Sequence, residues 1–85
     1  MPRKVKIQTA GLDREAIRYN ENAGDSAVED FIGPERYAPD GDRLFINTRE
    51  GLREVRDGDW IIRGVNNEPY PFSPERFDKR FKIIT

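Results

Sequence analysis

Glu15, Glu54, Asp59 and Glu68 are the carboxylates from which a hydrolytic acid–base pair could be drawn, yet no spacing signature joins any two of them. Asp40-Gly41-Asp42 and Asp57-Gly58-Asp59 each bracket a glycine with carboxylates. That pattern suits a hard cation or a tight turn. Neither segment continues with the further ligands of a calcium loop, so turn chemistry is the expectation. The chain has no His and no Cys, which removes the usual nucleophile–base pairs and Cys/His zinc sites. It also lacks a Gly-rich phosphate loop. These residues point to a protein that binds rather than catalyses, with no cofactor and no metal.

The remaining chemistry is aromatic. Trp60, Tyr70, Phe72 and Phe77 could line a stacking or peptide-binding pocket, with Arg63 as its polar anchor. The alternative is that these rings form the core, because so short a chain needs its aromatics for folding. The candidate partner-binding residues are Arg63, Glu68, Tyr70 and Phe72. Pro69 and Pro71 fix φ on either side of Tyr70, which would present its ring at little entropic cost.

The elements that must position these residues follow from local pattern. Val5, Ile7 and Thr9 alternate with polar residues and predict a first strand. Glu15 to Asn20 reads as a second strand with Ile17 and Tyr19 on one face, a helix being the competing reading. Ala10-Gly11-Leu12 interrupts the first strand, and residues 19–24 read as a loop. Ser26 and Glu29 have capping-box spacing, Asp25 adds charge at the positive end of the dipole, and Ala27, Val28, Phe31 and Ile32 share a helical face. Gly33-Pro34 ends that helix. Residues 33–42 read as a loop. Leu44 to Thr48 predicts a strand, Arg49-Glu50-Gly51 a hairpin turn, and Leu52 to Val55 the return. Leu52 and Val55 are out of phase, so a bulge or bend is expected between them. Asp57-Gly58 is a tight turn before the strand Trp60 to Arg63, and Gly64 to Asn67 turns again. Trp60 is expected to be at least half buried, with Ile62 on its face. Pro74 starts one turn of helix capped by Ser73, and Phe81 and Ile83 mark a last strand.

Eighty-five residues make one domain, residues 1–85, with 35% hydrophobic and 36% charged content. Five Phe, three Tyr and one Trp supply core volume. The expected fold is α+β: a bent, mostly antiparallel sheet of about five strands, or a small open barrel, with one short helix packed on it. A net charge of −1 gives no global field toward nucleic acid or membrane. The ends are basic, through Arg3, Lys4 and Lys6 and through Arg76, Lys79, Arg80 and Lys82, and the middle is acidic. If the first and last strands are neighbours, Lys6, Arg80 and Lys82 would share a face. That face would either touch phosphates or protect a sheet edge by charge. No apolar run reaches the length of a membrane span, and a soluble intracellular protein is expected.

The stretch from Asp57 to Phe77 resembles the C-terminal half of a small, widespread family of bacteriophage-encoded proteins. The shared pattern stands here as Gly58-Asp59, Trp60, Ile61-Ile62, Arg63, Gly64-Val65, Glu68, Tyr70-Pro71, Pro74 and Phe77. The order of earlier elements is also similar, so the resemblance spans roughly residues 15–83. Phe72 stands where the family commonly has Cys, which argues against thiol chemistry. Asn67 replaces a usual turn glycine, and residues 1–14 are longer than the usual start. The resemblance implies a phage accessory protein acting in the host cytoplasm. The best reading is then a non-enzymatic binder of a host protein, such as a defence protein, or of a small ligand. A virion structural or assembly component is the first alternative, and a weak nucleic-acid binder the second.

Overall fold

Ala16-Ile17 and Ile61-Ile62 are adjacent apolar pairs in strands, and adjacent strand residues point to opposite faces. Such strands need cover on both sides, and the fold supplies it. The computed structural model describes residues 5–9, 12–19, 24–64 and 68–83. The strands are β1 (Val5–Thr9), β2 (Leu12–Arg18), β3 (Tyr37–Asp40), β4 (Arg43–Thr48), β5 (Gly51–Val55), β6 (Trp60–Arg63), β7 (Pro69–Phe72) and β8 (Lys82–Ile83). The helices are α1 (Gly24–Ile32) and α2 (Pro74–Arg80). Leu12 of the expected break belongs to β2 and Gly24 of the expected loop to α1; residues 10, 11, 20–23 and 65–67, the Asp25 side chain, and the basic Arg3 and Lys4 lie outside the described residues.

A five-stranded sheet runs β7-β6-β2-β1-β8, and a three-stranded sheet runs β3-β4-β5. Every pairing in both is antiparallel. The class is α+β as the sequence implies. The described strands form two sheets rather than a closed barrel.

The large sheet is a wall between two cores. On one face Ile17 and Ile61 meet Val28, Phe31 and Ile32 of α1 and Leu44, Ile46 and Val55 of the small sheet. On the other face Ile7, Ala16 and Ile62 meet Phe77 of α2, with Trp60, Phe72 and Phe81 packed around them. Trp60 stacks on Phe77, with ring centroids 4.1 Å apart and planes 9° from parallel. Trp60 and Ile62 do share a face, and Trp60 is largely buried. The core reading therefore holds for Trp60 and Phe77.

Several local expectations need correction. Helix α1 begins at Gly24, so Ser26 stands in its first turn rather than at the cap. Its end is as expected: Gly33 takes φ 92° and donates its N–H to the Glu29 carbonyl. The expected loop at residues 33–42 contains β3, an edge strand paired with β4. Pro39 is tolerated there because an edge strand has one row of N–H groups with no ladder to join. No bulge separates Leu52 from Val55. The β4–β5 ladder is regular, and the two residues simply point to opposite faces, Val55 inward and Leu52 outward at 64% exposed.

The Tyr70 segment, which the local pattern assigned to no strand, is the strand β7. Gly64 N–H donates to the Glu68 carbonyl. Continuing that alternation puts Tyr70 and Phe72 at the hydrogen-bonded positions, so Pro69 and Pro71 lack only N–H groups that would face away from β6. Helix α2 is as expected but longer, with Ser73 accepting from the Arg76 N–H and Pro74 opening it.

Trp60→Ala and Phe77→Ala should each cost about 3–5 kcal/mol, because each removes a ring from the α2 core. Leu52→Ala should stay within about 0.5 kcal/mol. Urea unfolding followed by circular dichroism measures all three. A large loss at Leu52 would show that the outer face of the small sheet is covered.

Candidate functional site

β6 and β7 lie side by side with Ile62 opposite Tyr70 and Arg63 opposite Pro69. Side-chain alternation then separates two residues that the sequence reading joined. Tyr70 lies on the α2 side of the sheet and Arg63 on the α1 side.

Arg63 is committed inside the fold. Its Nη1 donates to the Phe31 carbonyl at 3.1 Å, at the C-terminal end of α1. Its Nη2 pairs with the Glu15 carboxylate on β2. Its guanidinium lies over the Phe31 ring, 4.7 Å from the centroid. The side chain is 27% exposed. One residue thus caps a helix, pairs a strand and stacks on an aromatic, three uses that the planar guanidinium fork allows at once.

Tyr70 is held rather than free. Its hydroxyl donates to Glu68 Oε2 at 3.0 Å. Its ring crosses Gly64, where an added Cβ would lie 3.2 Å from the ring and push it by a few tenths of an ångström. The hydrogen bond to Glu68, then burial, then the carboxylate charge push the Tyr70 phenol above its ordinary value. Phe72 meets Phe81 edge-on at 5.2 Å, and the Arg76 guanidinium lies 5.5 Å from the Phe72 centroid.

Tyr70, Pro71 and Phe72 form one wall of a small groove of about 110 Å³. Thr48, Glu50 and Arg53 of the β4–β5 hairpin and Arg76 of α2 complete it. Thr48 stiffens the hairpin end, donating to the Gly51 carbonyl at 2.7 Å and accepting from the Glu50 N–H. Of the four candidate residues, Tyr70 and Phe72 line this groove, Glu68 orients Tyr70 from beside it, and Arg63 lies on the other face. Arg53 was not singled out by sequence, and Arg76 was named only as part of the basic C-terminal end. Nothing local brings Arg53 to β7, since the approach of β5 to β7 is a long-range contact.

A larger cleft of about 330 Å³ lies between Tyr19 and the small sheet, lined also by Arg43, Leu44, Glu54, Arg56 and Asp57. Its charges satisfy each other. Arg43 donates two hydrogen bonds to Glu54, at 3.0 and 3.1 Å, and Arg56 stands 3.6 Å away. The Arg43 hydrogen bonds hold the Glu54 carboxyl below its ordinary value.

The candidate carboxylates all have other partners. Glu15 pairs with Arg63, Glu54 with Arg43, and Glu68 with Tyr70. Asp59 Oδ2 accepts the Arg56 N–H. Both Asp-Gly-Asp segments are turns, with positive φ at Gly41 and Gly58. β1 pairs with β8, so Lys6 and Lys82 share a sheet face, whereas Arg80 belongs to α2. Glu15 stands directly opposite Lys6.

Comparison with protein-family models, with curated proteins and with solved structures finds no match.

Arg63→Ala should cost about 2 kcal/mol, since it strips a charged donor from two buried-side acceptors. Tyr70→Ala should leave the melting temperature within a few degrees. The reverse order of effects would place Tyr70, not Arg63, in the framework. In alkaline titration Tyr70 should ionise above the ordinary tyrosine value near 10. A raised phenol stabilises the fold below that value and loses its contribution as pH climbs through the folded value. Glu68→Ala should bring the late phenolate absorbance down toward the ordinary value; an unchanged titration would discount the hydrogen bond.

Proposed function

We propose that this chain is a bacteriophage-encoded, non-enzymatic binding protein that engages a host protein in the host cytoplasm. The resemblance of residues 57–77 to phage accessory proteins supports the origin. The single observation that carries the binding reading is the groove wall of Tyr70, Pro71 and Phe72, held partly exposed on the edge strand β7. Its aromatic area is ordered before any partner arrives, so little conformational entropy remains to be lost on association. The pairing of each candidate carboxylate with a fixed partner favours binding over hydrolysis. No helix among the described residues is long and apolar enough to cross a membrane, which is compatible with a cytoplasmic site of action.

The nucleic-acid reading gains one observation, the neighbouring Lys6 and Lys82 on paired strands. Glu15 opposite Lys6 offsets part of that charge. If phosphates were the target, retention on heparin would fall steeply with salt.

The test is affinity capture from a lysate of the infected host, using the tagged chain and a folded Glu68→Ala, Tyr70→Ala double variant. The expected result is a specific host protein retained by the parent and lost by the variant, with both melting cooperatively. Capture unaffected by the double substitution would reject this surface. Recovery of the chain in purified virions would favour the structural-component alternative.

A further inference from the structure

The groove between β5 and β7 carries more cationic than anionic side chains in its lining. In the larger cleft Arg43 and Arg56 share Glu54, and on the α1 side Arg63 has Glu15. In the groove, Arg53 makes no ion pair or hydrogen bond with another described side chain, and Arg76 has only the Phe72 ring. A guanidinium laid on an aromatic face keeps its in-plane N–H donors available. Glu50 is the one carboxylate in the lining, set against these two guanidiniums.

Size decides what kind of occupant fits. Sites for whole small molecules run to about 300–1,000 Å³, and this groove has about 110 Å³. It takes one side chain. Strand addition along β7 is opposed by Pro69 and Pro71, whose missing N–H groups fall on its open edge. Recognition there must run through side chains.

Resting on the binding reading above, we propose that this groove receives an aspartate or glutamate side chain from an extended segment of the partner protein. The Arg53 and Arg76 guanidiniums hold its carboxylate by charge-assisted hydrogen bonds. A neighbouring apolar residue of the partner lies on Tyr70, Pro71 and Phe72.

Selection of a random short-peptide library on the immobilised chain tests this directly. Enriched peptides should carry Asp or Glu beside an apolar residue, and their affinity should fall as salt is added. Arg53→Gln with Arg76→Gln should weaken the best peptide roughly tenfold or more, while the double variant still melts like the parent. Nuclear magnetic resonance shifts on titrating that peptide should centre on Arg53, Tyr70, Phe72 and Arg76. The proposal is overturned if no peptide is enriched, if the enriched peptides are basic or purely apolar, or if the double substitution leaves affinity unchanged. Tighter binding of an oligothymidylate than of the acidic peptide also overturns it. Host-protein capture that needs Tyr70 but tolerates loss of both arginines would sink this inference and leave the binding reading standing.

Discussion

The structure depends on two strands that are buried on both faces. β2 and β6 each place an adjacent apolar pair, Ala16-Ile17 and Ile61-Ile62, into different cores. An 85-residue chain has too little volume for one thick core, and sharing a wall lets each aliphatic gain about 1.5–3 kcal/mol of burial from a thin one. The arrangement has a consequence for register. A one-residue slip normally exposes an apolar face, but where both neighbours are apolar the hydrophobic pattern discriminates poorly. Polar contacts at the ends of the pair supply the discrimination. Glu15 stands opposite Arg63 and bonds to it, and Arg18 reaches past Trp60 to the Gly58 carbonyl at 3.0 Å.

That requirement explains why Arg63 is unsuited to the surface role its position in the motif suggested. Its fork ties β6 to β2 and to the end of α1, so it positions three elements at once. The candidate surface lies instead at the β7 edge of the large sheet, where β7 meets the β4–β5 hairpin. Two sheet edges are guarded. Pro69 and Pro71 stand on β7 and Pro39 on β3, each withholding an N–H from any added strand. These guards limit aggregation and also define how a partner can approach.

Features set by neighbours in sequence were legible. The strand Trp60–Arg63, the Gly33 helix stop and the Ser73-Pro74 helix start all rest on local turn and capping chemistry. Tyr70 and Phe72 were recognisable as a clamped aromatic pair. Prolines hid β3 and β7, because the alternation that would place their missing N–H groups on open edges is visible only once the pairing is known. Leu52 and Val55 suggested a bulge because a buried apolar partner was assumed for both, whereas Leu52 faces outward. The sides taken by Arg63 and Tyr70 follow from the β6–β7 register, which no local pattern in either strand specifies. Arg53 enters the groove through long-range packing that no local signal encodes, whereas Arg76 comes from the helix that directly follows β7.

Stability and recognition are coupled at some groove residues and separable at others. Tyr70 is fixed by the flanking prolines, by the bare backbone of Gly64 beneath its ring and by the Glu68 carboxylate on its hydroxyl. Phe72 is braced by Phe81. The rings are therefore held in place by the framework without being needed to build it, and that rigidity lowers the entropic cost of any contact they make. Arg53 and Arg76 are exposed and carry no ion pair among the described residues. An unpaired surface guanidinium adds little to folding, so these positions can change without loss of the sheet. In the proposed binding mode, rigid aromatics and replaceable cations divide the work: the first would set where a partner segment lies, and the second which charge it must bring.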